Sequence, residues 1–266
     1  RMWHDLKEKV EQLVGAIHRG ERESANSLLD EAKEIWRRAH DRDVDHSYGL
    51  IDAIVRRFGE SEIGPMWERA LLPLFAWRYD KFDVSKHEWP ESLENLMLVA
   101  IEAMRGHLCG PERTGDMELE EHEDRYVLSF DPCGSGQRTI RGDWIEGTRA
   151  RMEPPYSWGV SEEPHSWNHY QTGICHYCTH CISLMEEIPI DRFGYPLRVV
   201  EPPRYPDTDR DPAVRQRCQW TMYKDPRAVP ESDYRLSGRE KTGRFGSTEV
   251  GAPPLPVDAA GYPGAG

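Results

Sequence analysis

Residues 173–188, GICHYCTHCISLMEEI, combine closely spaced cysteines and histidines with the beginning of an apolar helical pattern. Two overlapping Cys-x-x-Cys spacings join Cys175, Cys178 and Cys181, and the stretch from His165 to Cys181 contains four of the 11 histidines. This spacing presents two thiolates to one metal ion, because a tight turn brings residues i and i+3 together. The stretch therefore predicts a metal site, followed by a short helix over about 177–188.

Other thiols and imidazoles complete the predicted ligand set. Zinc accepts sulfur and nitrogen together, whereas calcium and magnesium prefer oxygen. The predicted zinc ligands are Cys133, Cys178 and Cys181, with Cys218, His169 or His176 as the fourth. A second reading is an iron–sulfur cluster, because three cysteines at this spacing with a distant fourth are typical of bacterial ferredoxins, although Ile182 rather than proline follows Cys181. A third reading is a set of reduced thiols or a redox dithiol.

His180, between the last two cysteines, is the predicted acid–base group, because the ordinary pKa of imidazole lies near neutrality. Glu187 lies seven residues later, about two helical turns away on the same face, and is the candidate to orient the ring. Together with an open zinc position these residues predict a zinc-dependent hydrolase or lyase. The alternatives are a non-catalytic protein with a closed zinc site and a partner-binding helical part, or an iron–sulfur or dithiol redox protein.

The predicted substrate is a small polar or anionic molecule. Arg138 and Arg141 follow the Cys133–Gly136 turn, and guanidinium groups bind carboxylate or phosphate in a two-pronged geometry. Trp158 and Trp167 belong to a long aromatic loop over residues 153–173 that is expected to wall the site. The Cys-Gly-Ser-Gly turn resembles the opening of small zinc-binding modules at the ends of secretion-related ATPases, and nothing about function is taken from that likeness.

Glycine and proline divide the chain near Cys109. Residues 1–108 contain 6 of the 22 glycines and 3 of the 20 prolines, and their apolar residues recur every three or four positions. This pattern predicts a bundle of five helices over 1–108. Beyond an acidic loop at 112–124, short extended runs at 126–130, 137–140, 197–200 and 219–223 predict an antiparallel sheet. We therefore expect an α+β fold: a helical bundle, a smaller loop-rich metal-binding domain over 109–238, and a flexible tail over 239–266.

Composition excludes some partners. The net charge of −13 repels a phosphate backbone, which argues against general nucleic-acid binding. The sequence contains no apolar run near the roughly 20 residues that a membrane span needs, and its first residues contain no apolar signal segment. We expect a cytoplasmic protein that binds a small-molecule substrate and that can form homo-oligomers through its helical bundle.

Overall fold

The computed structural model describes residues 2–77 and 79–247, and four helices form its first part. They are α1 Met2–His18, α2 Arg22–Phe58, α3 Ile63–Trp77 and α4 Trp89–Gly106. α1 packs antiparallel on the start of α2 after the tight turn at Gly20, which has a positive φ of 73°. The Trp36 side chain of α2 donates a hydrogen bond to the carbonyl oxygen of Gly106 at the end of α4.

Apolar stripes over 28–39 and 50–58 predict two separate helices, whereas the structure has the single 37-residue helix α2. The segment between the two stripes, residues 40–49, is polar, and His40 and Asp41 within it are buried, as is Asp52 just beyond it. They face residues of the second half of the chain rather than water: Asp52, for example, accepts a hydrogen bond from the backbone N–H of Gly159. The prediction of five separate helices was wrong because these inward polar contacts replace the apolar stripe.

A four-stranded antiparallel sheet forms the centre of the second part, which confirms the α+β class. Its strands are β1 Glu118–Glu121, β2 Arg125–Phe130, β3 Val199–Glu201 and β4 Cys218–Tyr223. They lie in the order β1-β2-β4-β3, with Phe130 opposite Cys218 and Val200 opposite Trp220. β1 falls within the acidic segment that was predicted to be a loop, and all four of its side chains are exposed.

Helical segments frame the cysteine-rich stretch. They are α5 Gly136–Arg141, α6 Thr179–Ile182, a π-helical turn Ser183–Glu187, α7 Ile188–Phe193 and, further on, α8 Glu231–Leu236. The helix predicted over 177–188 is thus present with a π turn inside it. The strand predicted over 137–140 is wrong, because this segment forms α5.

One buried core draws side chains from both parts of the chain. Leu96 and Met104 of α4 belong to the same apolar cluster as Phe130 and Trp220 of the sheet and Met185 of the π turn. The boundary predicted near residue 109 therefore falls inside a continuous core. Of the predicted tail, residues 248–266 lie outside the described residues, whereas Phe245 packs against the core.

No helix in the described ranges, 2–77 and 79–247, has both the length and the apolar character needed to cross a membrane.

Candidate metal centre

Four cysteines from three separate segments line one cavity of about 190 Å³, which we call the cysteine cavity. They are Cys133, Cys178, Cys181 and Cys218. Cys178 and Cys218 are buried, whereas Cys133 and Cys181 are half-buried. The predicted thiol ligands therefore converge on one place in the fold.

The local structure explains how each sulfur reaches this cavity. Cys133 lies in the turn that follows β2, and Cys218 begins β4 in register with Phe130, the last residue of β2. Cys178 and Cys181 bracket the first turn of α6, and the Cys181 N–H donates to the carbonyl oxygen of Cys178 at 3.1 Å. The sheet register and one helical turn thus bring together residues separated by 85 positions (218 − 133).

The cavity sulfurs are not gathered round a single point. Among the described residues, no three cysteine or histidine ligand atoms at this cavity lie within 4.8 Å of one another. The sulfurs of Cys175 and Cys178 are 3.1 Å apart, but Cys175 does not line the cavity. The four sulfurs therefore surround a space instead of marking the corners of one small coordination sphere.

Hydrogen bonds favour a thiolate at Cys133. Its sulfur accepts from the Cys218 thiol and from the backbone N–H groups of Ser135, Gln137 and Gly136, and these contacts lower the pKa of Cys133 despite its burial. A turn that points successive N–H groups at one atom is a general device for holding negative charge. The Cys-Gly-Ser-Gly sequence therefore supplies both a sulfur and the donors that stabilise its charge.

Gly136 lets α5 approach the cavity closely. A Cβ atom at this position would lie 2.1 Å from the sulfur of Cys178 and 3.5 Å from that of Cys175. The first distance is far shorter than any contact between nonbonded atoms. A side chain at position 136 is therefore incompatible with the observed position of the Cys178 sulfur.

His180 lines the cysteine cavity, as its predicted role requires, but Glu187 does not orient it. Nε2 of His180 lies 3.4 Å from the sulfur of Cys181, and Nδ1 contacts the carbonyl oxygen of Tyr177. Burial lowers the pKa of His180, but the Cys181 thiolate and the Tyr177 carbonyl outweigh burial and raise the pKa to about 9. The Glu187 carboxylate instead accepts hydrogen bonds from Ser183 and Arg239.

Neither predicted histidine ligand lines the cavity. His169 pairs with the buried carboxylate of Glu186, with 2.8 Å between Nε2 and Oε2. His176 is 2% exposed, and neither of its ring nitrogens has a hydrogen-bond partner among the described residues. The nearest carboxylate to His176 in an ion-pair geometry is Glu60, at 4.0 Å. The structure therefore separates both imidazoles from the four cavity cysteines.

The two arginines predicted to bind substrate form ion pairs with carboxylates of the protein itself. Arg138 is buried and lies 2.7 Å from Asp45, and Arg141 lies 2.8 Å from Asp131. Both ion pairs connect α5 to other parts of the chain. The structure thus gives these arginines a role in holding α5 in place, and neither lines the cysteine cavity.

The two predicted tryptophans pack elsewhere as well. Trp158 lies 5.0 Å from the ring of Tyr48, measured between ring centroids, and Trp167 stacks on His165 at 4.5 Å. Trp167 is buried with Ile51 in a small apolar cluster. These contacts place both side chains in the cores around α2 and α3, outside the residues that line the cavity.

The sequence did not identify three polar residues in the cavity wall: His107, Ser135 and Arg198. Ser135 Oγ lies 2.6 Å from Nδ1 of His107 and 3.3 Å from Nε2 of His40, so these groups form a hydrogen-bonded chain from α2 to the cavity. Burial, then the charge of His40, lowers the pKa of His107 to about 3, so its ring is neutral near pH 7. Apart from the position of Ser135 in the glycine turn, no sequence signal marks these residues.

A separate acidic group does not add a second metal site. Asp41, Asp143 and Glu146 have ligand atoms within 4.8 Å of one another. Arg113 lies 2.6 Å from both aspartates, and Arg37 lies 3.0 Å from Glu146. These guanidinium groups already neutralise the carboxylates, so the group is a salt-bridge network in which the two aspartates are buried and Glu146 is exposed.

No family model matches this chain, and neither the curated proteins nor the solved structures include one with significant similarity to it.

Proposed function

We propose that the protein binds an iron–sulfur cluster through Cys133, Cys178, Cys181 and Cys218 and acts in electron transfer or redox chemistry. The observation that carries the proposal is the arrangement of the four sulfurs round a cavity of about 190 Å³. In a four-iron cluster each thiolate binds a different iron, so the protein sulfurs lie well apart with the inorganic core between them. Cys133 and Cys218, whose sulfurs are hydrogen-bonded to each other, would separate on binding it.

The spacing of the sulfurs favours a cluster over the predicted zinc ion. Four thiolates bound to one zinc at about 2.3 Å with tetrahedral angles lie about 3.8 Å from one another. Among the described residues, no three of the cavity sulfurs meet even a 4.8 Å limit. A zinc-dependent hydrolase or lyase remains a prediction, and it requires the cysteine side chains to move towards a common centre.

The surroundings of the cavity suit a buried redox group. Met104, Leu184 and Trp220 supply apolar walls, and these three residues belong to the main core, which the cavity borders. A cluster exchanges single electrons, and its potential depends on net charge, hydrogen bonds to sulfur and solvent exposure. The N–H groups directed at Cys133 and the partial burial of the thiols are features of that kind.

Metal content and spectroscopy test the proposal. The full chain is purified without oxygen and reconstituted with ferrous iron and sulfide, and iron, acid-labile sulfide and zinc are then measured. We expect about four iron and four sulfide ions per chain, a broad visible absorption and a paramagnetic signal after one-electron reduction. One tightly held zinc per chain, with no uptake of iron and sulfide, would contradict the cluster and support the zinc prediction.

The chain offers a matched pair of control variants. Cys218 and Cys109 are both buried, at 7% and 0% exposure, but Cys109 does not line the cavity. Cys218→Ala should lose most of the iron and sulfide, whereas Cys109→Ala should keep the wild-type content. Equal content in the two variants would show that the cavity sulfurs do not hold the cluster.

A further inference from the structure

Arg198 is a buried cation in the wall of the cysteine cavity. It precedes β3 and is 5% exposed, and the central carbon of its guanidinium lies 3.3 Å from the centroid of the Trp220 ring. Its Nε atom has no hydrogen-bond partner among the described residues. The stacked ring holds the guanidinium plane in place but supplies no compensating charge.

The other buried arginines of the described chain show what Arg198 lacks. Each of them lies within 4.0 Å of at least one aspartate or glutamate: Arg37, Arg113, Arg138, Arg141 and Arg151. Arg198 has no such carboxylate among the described residues. A buried charge without a counter-ion is strongly unfavourable, so the environment of Arg198 is expected to contain an anion.

The groups beside Arg198 that can carry negative charge are the sulfurs of Cys181 and Cys218 and the hydroxyl of Tyr79. Arg198 lines the cysteine cavity together with Cys181 and Cys218, and its guanidinium donates a hydrogen bond to the sulfur of Cys181. Arg198 therefore occupies the position of a counter-ion to whatever these two sulfurs bind.

We propose that Arg198 is the counter-ion of the bound cluster and raises its reduction potential. This inference rests on the proposed function. Reduction adds one electron to the cluster, so a fixed positive charge beside Cys181 and Cys218 stabilises the reduced form more than the oxidised form. The cavity is a medium of low dielectric, which strengthens this effect compared with an exposed arginine.

Redox titration of the reconstituted full chain, followed by its paramagnetic signal, tests the inference. Arg198→Gln should shift the midpoint potential to a more negative value, and Arg198→Lys, which keeps the charge, should stay closer to the wild type. Arg125→Gln is the matched control: it removes the same charge from a half-buried side chain at the far end of β2, and its potential should equal that of the wild type.

Each outcome decides one question. If wild-type protein takes up no cluster, the proposed function fails, whatever Arg198 does. If Arg198→Gln carries a cluster at the wild-type potential, or if Arg198→Lys behaves like Arg198→Gln, the counter-ion inference fails and the proposed function stands. If Arg198→Gln keeps its helical circular-dichroism signal but holds no cluster while Arg198→Lys does, the requirement for positive charge is supported through cluster retention.

Discussion

Gly136→Ala tests the cysteine cavity without removing any sulfur. The new methyl carbon would lie 2.1 Å from the sulfur of Cys178, whereas nonbonded carbon atoms approach to about 3.5 Å at their closest favourable separation. The Cys178 sulfur or the α5 backbone must therefore move by more than an ångström. α5 is tied by the ion pairs of Arg138 and Arg141, so we expect the Cys178 side chain to turn away from the cavity.

The expected magnitude follows from the cost of overpacking. Inserting a methyl group into a closely packed interior costs about 1–3 kcal/mol. If this cost falls on the bound state, cluster affinity drops between about fivefold and about 100-fold, since each 1.4 kcal/mol is a factor of ten. If it falls on the fold instead, the free energy of unfolding decreases by the same amount in the absence of iron.

The assay compares iron and sulfide content, together with urea unfolding of the metal-free chain, for Gly136→Ala and Gly106→Ala. Gly106 ends α4, and a Cβ there would meet no atom within 4 Å. We expect Gly106→Ala to match the wild type in both measurements. Wild-type cluster content and stability in Gly136→Ala would refute the placement of Cys178 and, with it, the geometry on which the proposed centre depends.

Two further predictions concern buried charge pairs. Asp41→Asn should lower the free energy of unfolding in urea by about 1.5–3 kcal/mol, the range for a hydrogen bond to a charged group, because Arg113 loses the Asp41 carboxylate at 2.6 Å but keeps that of Asp143. Burial raises the pKa of Asp41, but hydrogen bonding from His40 and the charges of nearby arginines outweigh burial and hold this pKa well below its usual range. The stability that Asp41 contributes is therefore present above pH about 4 and is lost as the pH falls. If the free energy of unfolding of the variant fell with acid as steeply as that of the wild type, this role of Asp41 would be contradicted. Glu186→Gln should lower the pKa of His169, because burial lowers this pKa and the Glu186 carboxylate raises it. NMR titration of the His169 ring measures the change, and an unchanged pKa would exclude the ion pair between His169 and Glu186.

The fold could be predicted where apolar periodicity alone decides the structure. The sequences of β2 and β4 are rich in apolar residues, and both strands were predicted within one residue of their observed bounds. α2 was predicted in two pieces because its middle turns are polar, and only the tertiary structure shows that these polar groups are buried. Gln137–Ile140 was read as a strand because threonine and isoleucine favour extended backbone, but the ion pairs of Arg138 and Arg141 to distant aspartates fix a helix.

The candidate site likewise combines residues that local sequence signals mark with residues that only the tertiary structure brings together. The Cys-x-x-Cys spacing and the glycine turn are local signals, and three of the four cysteines that they mark, Cys133, Cys178 and Cys181, line one cavity. The roles predicted for Arg138 and Arg141 depended on what lay opposite them, which was four aspartates: Asp41 and Asp45 of α2, Asp131 and Asp207. The proximity of Arg198 to the sulfurs depends on the register of β3 with β4, and no spacing in the sequence encodes it.

The buried ion pairs also explain why the cysteine cavity depends on the N-terminal helices. Asp45 of α2 accepts from both Arg138 and Arg151, and Tyr48, one turn later, donates to the carbonyl oxygen of Gly159. Without α2, both arginines would lose this carboxylate inside the protein, which is the most costly way to break such pairs. The segment that presents Cys133 is therefore held against α2 by charge rather than by apolar contact alone. The glycine and proline content changes near residue 109, but ion pairs and hydrogen bonds between residues on either side of this position hold the segment that carries Cys133 in place.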